Sequence, residues 1–377
     1  MSEFLLELYS EEIPSNLQIA ARKELKLKIQ KSLEEESLKY ETIFDYSCPT
    51  RLTIYIKGLP DKLKILSKEI RGPKVGVLDD ILNRFIMAHN VTKKEVFEKE
   101  TDKGNFYFVK TKAQEVLAKD ILIKVILNSI SSLNWKKSMK WSDTNLIWGR
   151  PLRSILAIYN KKLLQFNYGH LRSTETVIVE QDIVIKYKKV KSFFEYQSFL
   201  KSNEIILDQD ERKTKIINRF EAICKSKSFK EFFNNRLLEE VINIVDNPNI
   251  LVEEFNKDYL KIPQEIIIST LENQQKYFPL FDNTDRLTNS FLIVANKSDR
   301  KNLIKKGNKR VVEARLSDAK FFWDKDKSKN LIKQIGKLKT ITFYDKLGTI
   351  YDKTQRLRKL ASMVSDQLNI NKEKIEV

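Results

Sequence analysis

The chain has 377 residues, which allows two or three domains at roughly 100–200 residues each. Hydrophobic residues make up 41% of it and aromatic residues 10%, which is enough for a packed core and excludes wholesale disorder. No run approaches the roughly 20 apolar residues that span a bilayer. The N-terminus carries acids where a secretory signal carries Lys or Arg, so we expect a cytoplasmic protein with no membrane partner.

The charge balance favours a polyanionic partner. The chain carries 69 Lys+Arg against 51 Asp+Glu, a net charge of +18, and nucleic acid is the first candidate for such an excess. A compositional bias toward Lys is the alternative, because only 16 of these cations are Arg. We therefore give the arginines more weight, since a guanidinium makes forked contacts with phosphate that Lys cannot copy.

Metal and disulfide chemistry are disfavoured. Cys48 and Cys224 are the only cysteines, and His89 and His170 are the only histidines. Two distant cysteines give no disulfide framework, and this set is too small for a typical zinc site. We predict no metal site.

The first 60 residues predict a small α/β unit. The stretch FLLELYS predicts a buried strand that ends in a turn at Pro14, and Ser15 with Gln18 predicts a capping box at the start of a helix. The helix should extend to about Leu38, and a strand should follow with Leu52 and its alternate neighbours buried. The apolar stripe of this helix has i, i+4 spacing: Leu17, Ala21, Leu25, Ile29 and Leu33.

The rest of the chain predicts an α+β fold of several small mixed domains with antiparallel sheets. Residues 61–134 form a mostly helical insertion with a short hairpin, and residues 135–340 an α+β body with turns at Asn160 and Gly169. Tracts with helical spacing cover 190–246 and run from about Lys309 to the end, so that 341–377 begins a further, incomplete helical domain. The mixed-charge ending NINKEKIEV lacks a closing element, which favours part of a longer chain; a natural C-terminus is the alternative.

No catalytic motif stands out. The sequence has no GxxxxGK[ST] phosphate loop, no GxGxxG and no GxSxG. Glu11 and Glu12 could act as acid and base, but neighbouring side chains on a strand or turn point in different directions. We predict that each histidine is a structural or surface residue, and we predict no catalytic residue in this chain.

Candidate RNA contacts are basic residues among aromatic ones. The stretch KWSDTNLIWGRPLRS places Arg150 and Arg153 near Trp141 and Trp148 in the sequence. The two tryptophans could stack on nucleotides, or they could be core residues at the edge of a sheet. We favour the core for the tryptophans and RNA for the arginines. Two further candidates are Arg172, beside His170, and Lys276, beside Tyr277 and Phe278, where alternation predicts that one face is core.

The stretch GNKRVVEARLSDAKFFWDKDK predicts a helix with cations around an apolar stripe. Val312, Leu316, Ala319 and Trp323 should pack into the protein. The cations of this helix that we take as candidates for phosphate contacts are Lys309, Arg310, Arg315 and Lys320. A solvated helix is the alternative, in which Glu313, Asp318 and Asp324 balance these cations.

Several blocks, in order, resemble the beta subunit family of bacterial tetrameric glycyl-tRNA synthetase. They are FLLELYSEEIPS, TDKGNFYF, MKWSD followed by RPLRSI, ENQQKYFPLFD, NSFLIVANK, GNKRVVEARLSDAKFFWDKDK and KLGTIYDKTQRL. The chain departs from the family where YSEEIP replaces the usual GTEELP. It also has Asn273 and Gln274 at positions that vary among members, which argues against catalysis there.

The resemblance implies a function that composition does not. In that family the alpha subunit activates glycine with ATP and Mg²⁺, the beta subunit binds tRNA(Gly) and needs no cofactor, and the assembly is α2β2. The family chain is longer, and 341–377 would begin its helical HD-like domain. Two alternatives stay open: an RNA-binding module unrelated to aminoacylation, and a scaffold for the alpha subunit.

Overall fold

A computed structural model gives the architecture. The residues that the structure describes are 2–65, 69–89, 91–110, 114–141, 145–181, 183–230 and 234–369.

The helices are spread along the whole chain. The α-helices are α1 (Ser15–Glu35), α2 (Asp79–Ala88), α3 (Ala118–Ser131), α4 (Phe193–Ser202), α5 (Gln209–Lys227), α6 (Asn235–Ile242), α7 (Gln264–Ser269), α8 (Leu303–Lys327) and α9 (Ile350–Leu368). Short 3-10 helices cover Lys93–Glu95, Lys257–Lys261 and Ile332–Thr340, and a π-helical turn covers Thr270–Gln275. None of these described helices is both long enough and apolar enough to cross a membrane.

The strands of the described ranges pair in antiparallel sheets. They are β1 (Ser2–Ser10), β2 (Thr42–Cys48), β3 (Arg51–Leu59), β4 (Lys62–Ile65), β5 (Glu69–Lys74), β6 (Val96–Thr101), β7 (Gly104–Lys110), β8 (Gln114–Leu117), β9 (Met139–Lys140), β10 (Ile147–Trp148), β11 (Leu152–Tyr159), β12 (Lys162–Leu163), β13 (Asn167–Tyr168), β14 (Leu171–Arg172), β15 (Thr176–Gln181), β16 (Val184–Lys189), β17 (Asn249–Glu254), β18 (Phe278–Phe281), β19 (Leu287–Ala295), β20 (Thr342–Tyr344) and β21 (Gly348–Thr349). The predicted α+β class is confirmed.

The largest sheet has the order β12-β11-β1-β3-β2. Its central strand β1 is buried on both faces, which explains the unbroken apolar run FLLELYS. Phe4, Leu6 and Leu8 pack against α1 and α3, and Leu5 packs toward β15 and α4. Because β11 pairs with β1, this sheet contains strands from both the predicted unit 1–60 and the predicted body 135–340. The boundaries of these segments stay a prediction.

The start of α1 differs from the prediction. Pro14 is the N-cap, no side chain caps the helix, and Ser15 is already helical. Gln18 does not close a capping box, because its amide donates to the carbonyls of Ile13 (2.6 Å) and Asn243 (2.7 Å). The helix ends at Glu35, three residues before the predicted end, and its predicted stripe is buried.

The segment after the first sheet holds more strand than its mostly helical prediction. Strands β5, β7 and β6 form a three-stranded sheet beside α2, and β4 pairs with β8 before α3. Short, half-exposed strands leave little period-2 signal in the sequence, which is why their pattern did not reveal them.

A second layered unit is built on the sheet β17-β19-β18. One face carries Phe278 and Leu292 against α5 and α6, and the other carries Tyr277 and Phe291 against α7 and α8. Tyr277 and Phe278 thus lie on opposite faces as alternation predicted, but both faces are core.

The C-terminal region is only partly helical. FYDKLGT, predicted as helix, forms the hairpin β20-β21, because Lys346 and Gly348 adopt positive φ angles of 63° and 81° that break a helix. Helix α9 follows with a capping box between Thr349 and Asp352.

Candidate nucleic-acid interface

Helix α8 lies against the second sheet through its first half. Val312 and Leu316 are fully buried and Ala319 packs beside them, as predicted. Trp323 was predicted to continue this stripe but is 37% exposed. The buried contacts of the helix end at Ala319. Trp323 is exposed because the helix extends beyond the core on which its first half packs.

The α8 cations differ in how far their charge is compensated. The ammonium nitrogen of Lys320 lies 2.5 Å from a carboxylate oxygen of Asp324, and that of Lys309 lies 4.0 Å from a carboxylate oxygen of Glu253. Arg310 and Arg315 are exposed, and neither has an ion-pair or hydrogen-bond partner among the described residues. Five residues along an α-helix turn through about 140°, so these two arginines point away from each other rather than along one face.

Arg150 and Arg153 lie on either side of the acidic loop that contains Glu11 and Glu12. Arg153 is 2.7 Å from Glu180 and 3.6 Å from Glu11, and its guanidinium lies 5.7 Å from the centre of the Tyr9 ring. Arg150 is half-buried and donates a 2.7 Å hydrogen bond to the carbonyl of Gly149. Arg153 is therefore already compensated by carboxylates.

The last two candidates lie elsewhere. Arg172 is exposed at the hairpin β13-β14, opposite Asn167 and beside the amide of Gln165. Lys276 follows the π-helical turn with a φ of 62° and lies 2.9 Å from Glu240. The eight predicted contacts thus lie on α8, beside the acidic loop and at two separate sites, and their role in RNA binding stays a prediction.

The tryptophans of the basic stretch belong to the core. Trp148 is fully buried, and its ring centre lies 4.9 Å from that of Trp135. Trp141 is half-buried and packs at the edge of the same hydrophobic core, which also contains Leu6 and Leu8. This confirms that they are anchors. The ring of His170 lies edge-on to Trp141 at 6.4 Å, and that of His89 edge-on to Phe85 at 4.9 Å.

Two fully buried arginines were missed by the sequence analysis. Arg51, next to the β2–β3 turn, forms an ion pair with Glu7 and donates to the carbonyl of Ile178 at 2.5 Å. Tyr196 donates to the same Glu7 carboxylate at 2.9 Å. Burial, and then the charge of Glu7, raise the pKa of Tyr196 well above its usual value.

The other buried arginine, Arg212, joins two units of the fold. It donates to the carbonyls of Ser47 (2.7 Å), Ile206 (2.7 Å), Leu207 (3.0 Å) and Ile242 (2.9 Å). A signal did exist in the sequence, because Arg212 shares the i, i+4 stripe of Ile216 and Phe220, where an exposed Arg is not expected. These two guanidiniums are structural and are not available to a polyanion.

A polar cleft of about 620 Å³ opens where β1, the β2–β3 turn and the end of β15 meet the loops after α4, α6 and β19. Its carboxylates are Glu11, Glu12, Glu180, Glu204 and Asp246, and its cations are Arg51, Arg153 and Lys297. Burial raises the pKa of Asp246 above its ordinary value, although Arg51 and Arg212 act against this. Among the described residues no group of three His, Cys, Asp or Glu side chains is arranged to hold a metal ion.

Comparison with known proteins decides the family. The family model described as "Glycyl-tRNA synthetase beta subunit" matches residues 4–376. The chain belongs to the glycyl-tRNA synthetase beta subunit family. The resemblance to this family is thereby confirmed.

Curated relatives are named glycine–tRNA ligase beta subunit. The chain is 35% identical to that of Rickettsia felis over 96% of its residues, and 33% identical to that of Clostridioides difficile over its full length. It is 31% identical to that of Dictyoglomus turgidum over 99% of its residues. The match covers 55–56% of these proteins, so the chain spans about half the length of the curated relatives it matches.

Proposed function

We propose that this chain binds tRNA(Gly) as part of a glycine–tRNA ligase and positions it for an alpha subunit that attaches glycine. In this proposal the alpha subunit uses ATP and Mg²⁺, this chain contributes no cofactor and no catalytic residue, and the assembly is α2β2. Membership of a ligase beta subunit family supports the coarse assignment.

The uncompensated cations of α8 carry the RNA part of the proposal. Arg310 and Arg315 are exposed without a counter-charge among the described residues, in a chain of net charge +18. Each phosphate that they neutralise would release a counterion, so affinity should fall steeply with salt. Because the two arginines point apart, they suit two backbone segments of a folded RNA and would position it rather than read its bases.

The test is a titration of the 377-residue chain with tRNA(Gly) at several KCl concentrations between about 50 and 200 mM. The proposal predicts binding with a negative slope of log affinity against log salt. An equal affinity for heparin would reveal a general polyanion binder, and absence of binding at the lowest salt would contradict the proposal.

A scaffold for the alpha subunit is the second candidate. Large apolar side chains lie exposed from the end of α8 onward, including Phe321, Phe322, Leu331 and Ile332. Exposed apolar side chains of this size favour a protein interface where they form a continuous patch. Co-purification with the alpha subunit without any affinity for tRNA would favour this candidate.

A further inference from the structure

The three-stranded sheet β5-β7-β6 carries aromatic and basic side chains together on one face. Residues directly opposite each other on neighbouring antiparallel strands point their side chains to the same face of a sheet. Two such rows cross all three strands, and together they define what we call the aromatic–basic face: Arg71, Phe108 and Phe97 in the first row, and Lys74, Phe106 and Lys99 in the second.

The two faces of this sheet differ in what covers them. Alternation puts Val109 on the opposite face, and this side chain is fully buried. Helix α2 packs on that side, where the ring of Phe85 fills the space that a side chain at Gly72 would take. On the aromatic–basic face, the ring of Phe97 is 36% exposed and all three cations are exposed. This face is therefore open to solvent.

Two side chains of the aromatic–basic face offer flat surfaces on which a ring can stack. The Cζ atom of Arg71 lies 4.1 Å from the centre of the Phe106 ring. The rings of Phe97 and Phe108 stack with their centres 6.0 Å apart and an angle of 25° between their planes. Because Phe108 is buried, the accessible surfaces are the Phe97 ring and the Arg71 guanidinium. Nucleobases stack on both kinds of surface.

The charge of this face favours an anionic partner. Lys99 lies 2.6 Å from Glu69, but no carboxylate of the described residues lies within 4.0 Å of Arg71 or Lys74. The fitting partner therefore carries both flat rings and negative charge. An unpaired RNA strand has both, whereas an acidic peptide without aromatic rings would leave the stacking surfaces unused.

We propose that the aromatic–basic face binds unpaired RNA, with one base stacked on Phe97, another on the Arg71 guanidinium, and phosphates beside Lys74. Bases within a duplex already stack on one another and do not reach such a surface. Because stacking accepts every base, we expect little sequence preference. The face lies on a different sheet from the one on which α8 packs, so this site adds to the proposed tRNA binding and does not depend on it.

The test uses the 377-residue chain and fluorescein-labelled octauridylate, whose length lies within the roughly 4–16 nucleotides that such surfaces cover. Fluorescence anisotropy at about 50 mM KCl, with protein up to about 100 µM, measures the affinity. Octauridylate should bind. Phe97→Ala should weaken its binding about five- to a hundredfold, as expected for the loss of one stacked base. The affinity for an RNA duplex of eight base pairs should not change in this variant.

Two further variants separate stacking from folding. Phe97→Tyr keeps an aromatic ring and should retain the binding of octauridylate, whereas Phe97→Leu keeps only an apolar side chain and should weaken it. Arg71→Gln changes an exposed position and should also weaken binding. The matched control is Phe194→Ala, which removes a 77% exposed ring on α4 and should leave binding unchanged.

Three results would overturn the proposal. The first is no binding of octauridylate, or equal binding by the wild-type chain, Phe97→Ala and Arg71→Gln. The second is displacement of octauridylate by an octaglutamate peptide as readily as by unlabelled octauridylate, which would assign the face to an acidic protein segment. The third is a larger loss in the combined Arg310→Gln and Arg315→Gln variant than in Phe97→Ala, which would place the strand on α8.

Discussion

Arg212 Nη2 donates a 2.7 Å hydrogen bond to the carbonyl of Ser47, from a helix that begins at Gln209 to a strand that ends at Cys48. The same guanidinium also bonds the carbonyls of Ile206, Leu207 and Ile242. One buried cation thus joins the N-terminal sheet to α6.

Replacement of Arg212 tests that role. Arg212→Met leaves three buried carbonyls and the part-buried carbonyl of Ile206 without this donor, and we expect a loss of about 3–5 kcal/mol in the free energy of unfolding. Urea denaturation followed by far-UV circular dichroism measures it. Lys213→Met, at the exposed neighbouring position, is the matched control and should change stability by about 0.5 kcal/mol or less. Similar losses in both variants would show that Arg212 is not the connecting residue.

Asp246 should make stability depend on pH. Burial raises the pKa of Asp246 in the folded state, so the folded chain favours the neutral carboxyl group. The free energy of unfolding therefore falls as pH rises through that pKa, because the carboxyl group must then be charged in a buried place. Asp246→Asn removes this penalty and should stabilise the protein at pH 7. The gain should shrink as pH falls toward the unfolded-state pKa of about 3.9. Parallel urea curves at pH 7 and pH 4.5 measure the effect, and a gain that grows toward low pH would be the wrong sign.

The two halves of α8 should respond differently to truncation. Leu316→Ala removes a fully buried side chain and should destabilise the protein by about 2–5 kcal/mol. Phe322→Ala, six residues on, removes a side chain that is 58% exposed and should have little effect. Thermal unfolding of both variants tests this. A large loss for Phe322→Ala would mean that the second half of the helix is packed after all.

Substitution of the candidate arginines should affect tRNA binding only where the arginine has no carboxylate partner within the protein. Combined Arg310→Gln and Arg315→Gln should lower tRNA(Gly) affinity and reduce the salt slope by about two, because two phosphate contacts disappear. Arg153→Gln should change the slope little, since Glu180 and Glu11 already compensate this cation. Filter binding over a KCl series measures both. The reverse order of effects would move the RNA surface from α8 to the acidic loop.

Local patterns predicted much of the fold. The α1 stripe, the strand around Leu52, the turns at Asn160 and Gly169 and the buried part of α8 all follow from periodicity or turn chemistry over a few residues. The pairing of β1 with β11 could not be predicted in this way, because paired residues such as Leu5 and Ile158 are far apart in the sequence.

The candidate site was harder to predict for the same reason. Whether an arginine is free depends on neighbours contributed by distant segments, as when Glu180 compensates Arg153 and Ser47 receives Arg212. Composition gave the sign of the charge, but not which cations are engaged. The carboxylates of the polar cleft come from separate segments of the chain, so no local pattern in the sequence could bring them together.

The central claim is that this chain holds tRNA for chemistry performed in an alpha subunit. The most direct measurement is tRNA-dependent glycylation by a cognate alpha subunit, assayed with and without this chain. The account predicts no charging without this chain. It also predicts that Arg310→Gln with Arg315→Gln raises KM for tRNA(Gly) and leaves kcat nearly unchanged. Charging by the alpha subunit alone, or a fall in kcat at constant KM, would contradict it.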